Sequence, residues 1–205
     1  GAAIGDHAVV YAEYVGPTGH VYAFEPNPPS AHACHLNTRA LGNVTVIPAG
    51  LSSCSDAEGC LYVAANRGAS FVAGAGCGYY AQEDPSQTPL PTTTVPLITL
   101  DEFLLPLISR CDYIHLDAEG MEAYILAGGA ELIRRFRPVL RFEMSAHHLQ
   151  RANITPTSMW LLMAALGYAV QIPASGDFTD EQNLLAFPQE HPFVANSVPA
   201  PSDVL

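Results

Sequence analysis

The chain has 205 residues, of which 49% are hydrophobic and 14% charged, a composition typical of one globular domain and not of a disordered segment. Twenty acidic residues outnumber eight basic ones, all arginine, which gives a net charge of −12. This charge, with no basic stripe, argues against nucleic acid or an anionic membrane surface as the partner. No apolar run is long enough to cross a bilayer, so we expect no membrane insertion and a small or neutral partner.

The N-terminal part of the chain predicts alternating helices and strands. Residues 2–14 predict a helix that ends at the Gly-Pro-Thr-Gly turn of residues 16–19, and residues 20–24 predict a buried strand. Residues 30–41 predict a second helix capped by Ser30, and residues 44–47 a second strand. This order indicates an α/β fold with a doubly wound, mostly parallel sheet and right-handed crossovers.

Periodicity lapses between residues 48 and 95. Residues 61–64 predict a short strand, whereas residues 66–94 are rich in Gly, Ala, Ser, Pro and Thr and predict a long loop. Loops of this length inside a compact domain are usually functional or mobile. We interpret it as a substrate-side flap, with a passive insertion as the alternative.

The cysteines give no zinc spacing. The five cysteines contain no C-x-x-C pair, which favours buried thiols in a reducing compartment and no bound metal. We therefore expect an intracellular, cytoplasmic protein. Cys54, Cys60 and Cys77 share one loop-rich region, where a disulfide is the alternative to free thiols.

Regular patterns return at residue 98. The elements expected from there are a helix from Leu100 capped by Thr99, a strand at 113–117, a helix at 119–136 weakened by Gly128 and Gly129, a strand at 139–143, a helix at 155–166 capped by Thr155 and stopped by Gly167, and a hairpin of residues 168–172 and 184–187. We expect one domain over residues 1–187 and an irregular, proline-rich tail over residues 188–205.

A glycine turn and a strand-end acid predict a nucleoside site. Gly1 and Gly5 precede the first helix, and the next strand ends in Glu25, about 20 residues after the turn. Glycines let backbone approach a ligand, and such an acid accepts hydrogen bonds from ribose hydroxyls. A plain strand–helix–strand connection is the alternative.

Two later strands also end in acids, Asp117 and Glu143. In an open parallel sheet these carboxylates and Glu25 project at the same carboxyl edge, where ligands bind. For each acid the alternative is a helix cap or a surface charge.

Five blocks of sequence resemble the FkbM family of S-adenosylmethionine-dependent methyltransferases. They are GAAIG at residues 1–5, FEPNP at 24–28, LDEF at 100–103, DAEGME at 117–122 and RPVLRFE at 137–143. The family forms of the first, second and fourth blocks are Asp-x-Gly-Ala-Asn-x-Gly, Phe-Glu-Pro-Asn-Pro and Lys-Ile-Asp-Val-Glu-Gly-x-Glu. Ala3 therefore stands where the family usually has Asn, and His115 where it has Lys.

The resemblance implies S-adenosyl-L-methionine as cofactor and a hydroxyl of a small molecule or glycan as methyl acceptor. The cofactor contacts that it implies are Gly1, Ala3, Gly5, Glu25, Pro26, Asn27, Leu51 and Asp117. Transfer to a hydroxyl benefits from a base, for which the candidates are Asp117, Glu119, His115 and Glu143. His115 shares a strand face with Asp117, but a packed, hydrogen-bonded histidine is the alternative. His147 and His148 are further candidates for the same rim, although adjacent histidines usually point apart.

Other functions fit parts of the pattern. The departures at Ala3 and His115 suit a degenerate methyltransferase fold that serves as a scaffold subunit in a larger assembly. A nicotinamide-dependent enzyme is a further reading, although the full G-x-G-x-x-G spacing is absent.

The fold also predicts a strand that feeds the glycine turn and lies between the strands ending at Glu25 and Asp117. Gly1 is already the turn, so we expect that the polypeptide extends upstream with an apolar strand ending in an acid, or that another segment or chain donates this strand. Buried backbone groups left unpaired cost about 1–3 kcal/mol each, so an empty slot is strongly disfavoured.

Overall fold

The N-terminal quarter forms the predicted parallel unit. The computed structural model describes residues 1–55, 57–64, 70–74, 90–171 and 182–196. Helix α1 (Asp6–Val15) leads to β1 (Val21–Phe24), α2 (Pro28–Thr38) and β2 (Val44–Ile47). Strands β1 and β2 pair in parallel over their full lengths. The prediction that Ser30 caps α2 is wrong, because Asn27 is the N-cap and Pro28, which lacks an N–H and has a preset φ, takes the first helical position.

A second, mixed sheet occupies the region where a long loop was predicted. It contains β3 (Gly50–Leu51), β4 (Ala57–Tyr62), β5 (Phe71–Gly74) and β6 (Thr92–Ile98), in the order β3-β6-β4-β5. Strands β3 and β6 are parallel, and β4 pairs antiparallel with both β5 and β6. The predicted loop was thus wrong at β5 and at the start of β6, while residues 75–89 lie outside the described residues.

The third sheet is built from the C-terminal half. Its elements are α3 (Leu100–Leu104), β7 (Tyr113–Leu116), α4 (Glu122–Gly128), α5 (Ala130–Phe136), β8 (Val139–Met144), α6 (Ala146–Arg151), α7 (Pro156–Leu166), β9 (Tyr168–Gln171), β10 (Gln182–Pro188) and a 3-10 helix (Pro192–Asn196). The strand order is β7-β8-β10-β9, with β7 and β8 parallel and the other pairs antiparallel. The predicted closing hairpin is confirmed.

The architecture is α/β, but the sheets are mixed. The described strands form three separate sheets, and antiparallel pairs occur in two of them. The prediction of a doubly wound, mostly parallel sheet is therefore not supported by the strand pairing, although the α/β class is. At the C-terminal end, β10 pairs antiparallel with both β8 and β9.

A close approach between layers divides the helix predicted over residues 119–136. A Cβ on Gly128 would lie 2.0 Å from the backbone oxygen of Ser52, a contact that no side chain can make. Helix α4 ends at Gly128 and α5 begins at Ala130. The glycine pair thus lets the helices pass against the backbone that follows β3.

One face of the third sheet packs into the main apolar core. Leu140 and Phe142 of β8 and Leu184 and Ala186 of β10 are fully buried. Because side chains alternate along a strand, Arg141 and Glu143 project to the opposite face. This alternation places Glu143 away from the apolar core and at the end of its strand.

Strands β1 and β7 belong to different sheets and are not paired with each other in the described part of the chain. Direct pairing of β1 with β7 would have contradicted the expected strand between them. That intervening strand stays a prediction.

The cysteines differ in state. Cys54 is disulfide-bonded, whereas Cys34, Cys60 and Cys111 carry free thiols. Cys77 lies outside the described residues. A disulfide is the kind of bond that oxidising compartments favour, so it lends no support to the cytoplasmic expectation. Of the helices in the described ranges, none has both the length and the apolarity needed to cross a membrane.

Candidate active site

Glu25 ties the glycine turn to the end of β1. Its Oε2 accepts a hydrogen bond from the Ala3 N–H at 2.8 Å, and its Oε1 accepts one from the Asn27 N–H at 2.9 Å. The Ala2 N–H also donates to the Phe24 oxygen at 3.0 Å. Glu25 is only 7% exposed, so both bonds form out of bulk water. The two motifs are thus held together by one buried carboxylate.

The turn depends on left-handed backbone. Ala3 has φ of 48° and Gly5 has φ of 89°, and Gly5 leads directly into α1. A Cβ on Gly5 would lie 2.8 Å from the Sγ of Cys34, so α2 also requires glycine there. Ala3 thus adopts the left-handed conformation although it is not a glycine. Asparagine tolerates this conformation better than alanine does, which is a physical reason for the Asn that the family usually has at this position.

Gly1 brings the glycine turn against the end of β7. A Cβ on Gly1 would fall 1.7 Å from the backbone oxygen of Asp117. The backbone of the glycine turn is therefore in direct contact with the backbone at the end of β7. The predicted meeting of the Glu25 and Asp117 strand ends is therefore present, with the glycine turn between them.

Glu122 fixes the turn that follows Asp117. Its Oε1 accepts from the Ala118 N–H at 2.7 Å and its Oε2 from the Gly120 N–H at 3.0 Å. The side chain is buried, and burial raises the pKa of Glu122 to about 7, although hydrogen bonds from the backbone of Glu122 and Ala118 act in the opposite direction. Glu119, between the two donors, has φ of 55°. A buried acid thus holds Glu119 in an unusual backbone conformation.

His148 joins the two remaining candidate acids. Its Nδ1 lies 2.9 Å from Oε2 of Glu143, and its Nε2 lies 3.1 Å from Oε2 of Glu119. Glu143 is at the end of β8, and His148 is in the first turn of α6, whose N-cap Ser145 accepts from the His148 N–H. We call these three residues the Glu119–His148–Glu143 chain.

Arg151 closes this chain on the side of the second sheet. Its Nη2 donates to the backbone oxygen of Glu119 and lies 3.4 Å from Oε2 of the same residue. Its guanidinium carbon lies 3.9 Å from the centre of the Phe71 ring, which stacks on Tyr62. Strands β4 and β5 are thereby coupled to the Glu119 turn.

Burial and like charge shift the titration of the acids. Burial raises the pKa of Asp117, and the neighbouring Glu143 adds to this rise. Burial also raises the pKa of Glu119, although His148 and Arg151 act in the opposite direction. For His148, burial lowers the pKa, but the hydrogen bond to Glu143 and the charges of Glu119 and Glu143 outweigh it, so the pKa is raised.

His115 contacts residues of α1. Its Nδ1 is hydrogen-bonded to the Tyr11 hydroxyl at 2.9 Å, and its ring contacts His7 edge-on at 4.9 Å. Burial, with Arg141 and His7, lowers the pKa of His115 to about 4, and Asn183 offsets this only in part. His115 is therefore a neutral, packed side chain beneath α1, which matches the structural alternative considered for it.

The remaining predicted cofactor residues surround the Glu25 turn. Asn27 is 2% exposed, and within the described residues its Nδ2 has no hydrogen-bond partner. Pro26 lies beside Gly50, where a Cβ would be 3.6 Å from the proline Cβ, and Leu51 follows in β3. The unpartnered amide is a donor available to a ligand next to Glu25.

Two other features lie outside this arrangement. A surface recess of about 360 Å³ is lined by residues of α1 and the turns at 16–17 and 41–43, and none of the candidate acids Glu25, Asp117, Glu119 and Glu143 lines it. Over the described ranges, no group of three or more His, Cys, Asp or Glu side chains is arranged to hold a metal ion.

The residues of this arrangement that sequence reasoning did not single out are Glu122 and Arg151, and it gave His148 only a place at the rim. The available signal for His148 was its position five residues after Glu143, with Ser145 between them as a helix cap. An α6 helix was not predicted, so the inward direction of His148 was not foreseen.

Comparison with known proteins identifies the family. A crystal structure of methyltransferase FkbM from Methylobacillus flagellatus KT is similar in fold, with a TM-score of 0.52 and 17% identity over 91% of this chain and 41% of that one. The chain therefore spans about two fifths of that protein's length. No curated protein matches the chain. A family model described as the methyltransferase FkbM domain matches residues 1–170. The chain belongs to the FkbM methyltransferase family.

Proposed function

We propose that this chain binds S-adenosylmethionine at the Gly1–Glu25–Asp117 junction and transfers its methyl group to a hydroxyl oxygen of a small molecule or glycan. The observation that carries the proposal is the buried Glu25 carboxylate, which holds the glycine turn in place while that turn contacts the Asp117 backbone. Three blocks of the family pattern thus meet at one edge of the molecule.

The residues present fit the cofactor. Each Glu25 oxygen accepts one backbone N–H and retains a lone pair that can accept from a ribose hydroxyl. The unpartnered Nδ2 of Asn27 adds a buried donor beside it. S-adenosylmethionine would supply a methyl group already activated on a sulfonium, which needs alignment more than further activation.

The chain's own residues would orient the acceptor and receive its proton. Asp117, Glu119 and Glu143 are the candidate acids for this role, since a hydroxyl becomes an effective nucleophile only as its proton leaves. His115 is a poor base because its lowered pKa, about 4, leaves little driving force for proton uptake. The net charge of −12 suits a neutral acceptor such as a glycan hydroxyl.

A scaffold without catalytic activity is the second candidate. It is favoured by the fact that both Glu25 oxygens already serve the backbone and that His115 is engaged by Tyr11. In this reading the acids maintain the fold and bind no ligand.

Transfer of labelled methyl groups tests the proposal. The chain is incubated with methyl-labelled S-adenosylmethionine and a panel of sugars, glycosides and polyhydroxylated metabolites, and the products are located by mass spectrometry and NMR. We expect label as a methyl ether. Label on nitrogen or carbon would contradict the proposed chemistry, and failure of every acceptor together with failure to bind S-adenosylhomocysteine would favour the scaffold.

A further inference from the structure

The proposed function gives no role to the arrangement of charges in the Glu119–His148–Glu143 chain. Both ring nitrogens of His148 lie within hydrogen-bond distance of a carboxylate oxygen. His148 is 7% exposed and Glu143 8% exposed, so water screens neither contact well. Two carboxylates on one imidazole satisfy both contacts only if both nitrogens carry protons or if one acid is protonated.

The surroundings favour a protonated ring. The groups that face His148 are Asp117 after β7, Glu119 in the turn, Glu122 of α4 and Glu143 of β8, with Arg151 on α6 as the opposing cation. The ring of His147 is 5.6 Å away but its side chain is exposed. Glu119 and Glu143 contact the ring directly, and two acids against one arginine make the site a favourable place for a cation.

Glu119 is oriented for proton uptake. Its Oε2 faces both His148 and Arg151, which leaves Oε1 as the oxygen without an assigned partner in the described chain. Its backbone is held by Arg151 and by the Glu122-bonded turn. Gly120 is also fixed, because a Cβ there would lie 2.7 Å from the His148 backbone oxygen. The carboxylate is therefore rigidly placed one residue beyond the Asp117–Ala118 backbone that borders the glycine turn.

We propose that Glu119 is the base of the methyl transfer and that His148 is a positioning residue which, as an imidazolium bridging Glu119 and Glu143, keeps the partly buried Glu119 ionised. The proposal rests on the proposed function. As the acceptor oxygen forms its bond to the methyl carbon, the carbon–sulfur bond breaks with its electron pair remaining on sulfur. The hydroxyl proton passes to Oε1 of Glu119, so the acid becomes neutral and His148 remains paired with Glu143.

NMR titration tests the charge arrangement without an acceptor. In protein labelled with carbon-13 glutamate, the Glu119 Cδ signal, assigned with Glu119→Gln, reports its ionisation midpoint. We expect His148→Gln to raise this midpoint by about one unit or more, the effect of losing an opposite charge at contact distance. His147→Gln, which changes the adjacent exposed histidine, is the matched control and should leave it unchanged. Circular dichroism verifies that each variant is folded.

A second signal addresses His148 itself. In protein labelled with nitrogen-15 histidine, both ring nitrogens of His148 should show the imidazolium pattern at pH 7, and Glu143→Gln should lower its titration midpoint by about one unit. A neutral His148 at pH 7, or a Glu119 midpoint that is the same in wild type and His148→Gln, would overturn the inference.

The catalytic part is tested by separating turnover from binding. Glu119→Gln should bind S-adenosylhomocysteine like the wild type and lose methyl transfer to any acceptor found in the panel. Full transfer by this variant would refute Glu119 as base. Failure of the wild-type chain to bind S-adenosylhomocysteine would instead contradict the proposed function, whatever the NMR result.

Discussion

Replacing Glu122 with glutamine should flatten the pH dependence of stability. Burial raises the pKa of Glu122 from 4.5 to about 7, so the folded state holds this proton where the unfolded chain has lost it. The stabilisation from the protonated acid is fully present below the pKa that Glu122 has in the unfolded chain. It is lost as the pH rises through the pKa that Glu122 has in the folded state. Stability contributed by Glu122 therefore falls between pH 5 and 8.

The size of this fall follows from the two pKa values. Integrating the difference in bound protons between pH 5 and pH 8 gives a loss of about 2.5 kcal/mol in the free energy of unfolding. Glutamine does not titrate, and its carbonyl retains one of the two backbone hydrogen bonds that fix the turn at residues 118–120. We therefore expect the difference in free energy of unfolding between the wild type and Glu122→Gln to be larger at pH 5 than at pH 8, with the wild type the more stable at pH 5.

Urea denaturation at both pH values measures the effect. The free energy of unfolding of the wild type should drop more than that of Glu122→Gln, by about 2.5 kcal/mol between the two conditions. Glu131→Gln, which alters an exposed acid on α5, serves as the control and should track the wild type. Equal pH dependence in wild type and Glu122→Gln would refute the burial argument.

Two further substitutions test other parts of the structure. Asp117→Asn should reduce turnover more than it weakens binding of S-adenosylhomocysteine measured by calorimetry, since Asp117 borders the junction where the acceptor is proposed to lie. Turnover equal to that of the wild type would contradict this place for Asp117. Gly128→Ala should lower the free energy of unfolding by about 2–3 kcal/mol, because the new methyl group meets the Ser52 backbone, which has no rotamer to relieve the contact. Denaturation curves that superimpose on the wild type would contradict this close approach.

Local signals predicted local structure well. Thr99 and Thr155 accept from the Glu102 and Ser158 N–H groups as caps, and Gly167 ends α7 in the left-handed conformation. Each of these outcomes depends on a few neighbouring residues, which the sequence displays directly. Strand β2 also has its predicted bounds.

Non-local pairing explains what was missed. Strand β6 carries Pro96 and a run of threonines, and it forms because β3 and β4 flank it on either side. The antiparallel entry of β10 beside β8 likewise depends on a partner distant in sequence. Strand propensity reflects such packing more than intrinsic preference, so neither the second sheet nor the mixed topology was visible in the pattern.

The candidate site divides in the same way. Glu25, Asp117, Glu119 and Glu143 were identified from strand ends and family blocks, and the structure brings Glu119 and Glu143 together through His148. Predicting the role of His148 would have required the position and direction of α6. Predicting that of Glu122 would have required knowing that the turn at residues 118–120 folds back onto its carboxylate. His115 precedes the DAEGME block by two residues, but its partner Tyr11 lies on α1, more than 100 residues away in sequence, so this contact was not visible in the pattern.

Calorimetric titration with S-adenosylhomocysteine tests the central claim most directly. We expect the wild type and Glu13→Gln, a change at an exposed acid of α1, to bind at micromolar concentrations. Glu25→Gln should bind about tenfold more weakly, equivalent to about 1.4 kcal/mol, because one ribose acceptor and one loop contact are lost. No binding by the wild type, or the same dissociation constant for Glu25→Gln, would contradict a cofactor site at this junction.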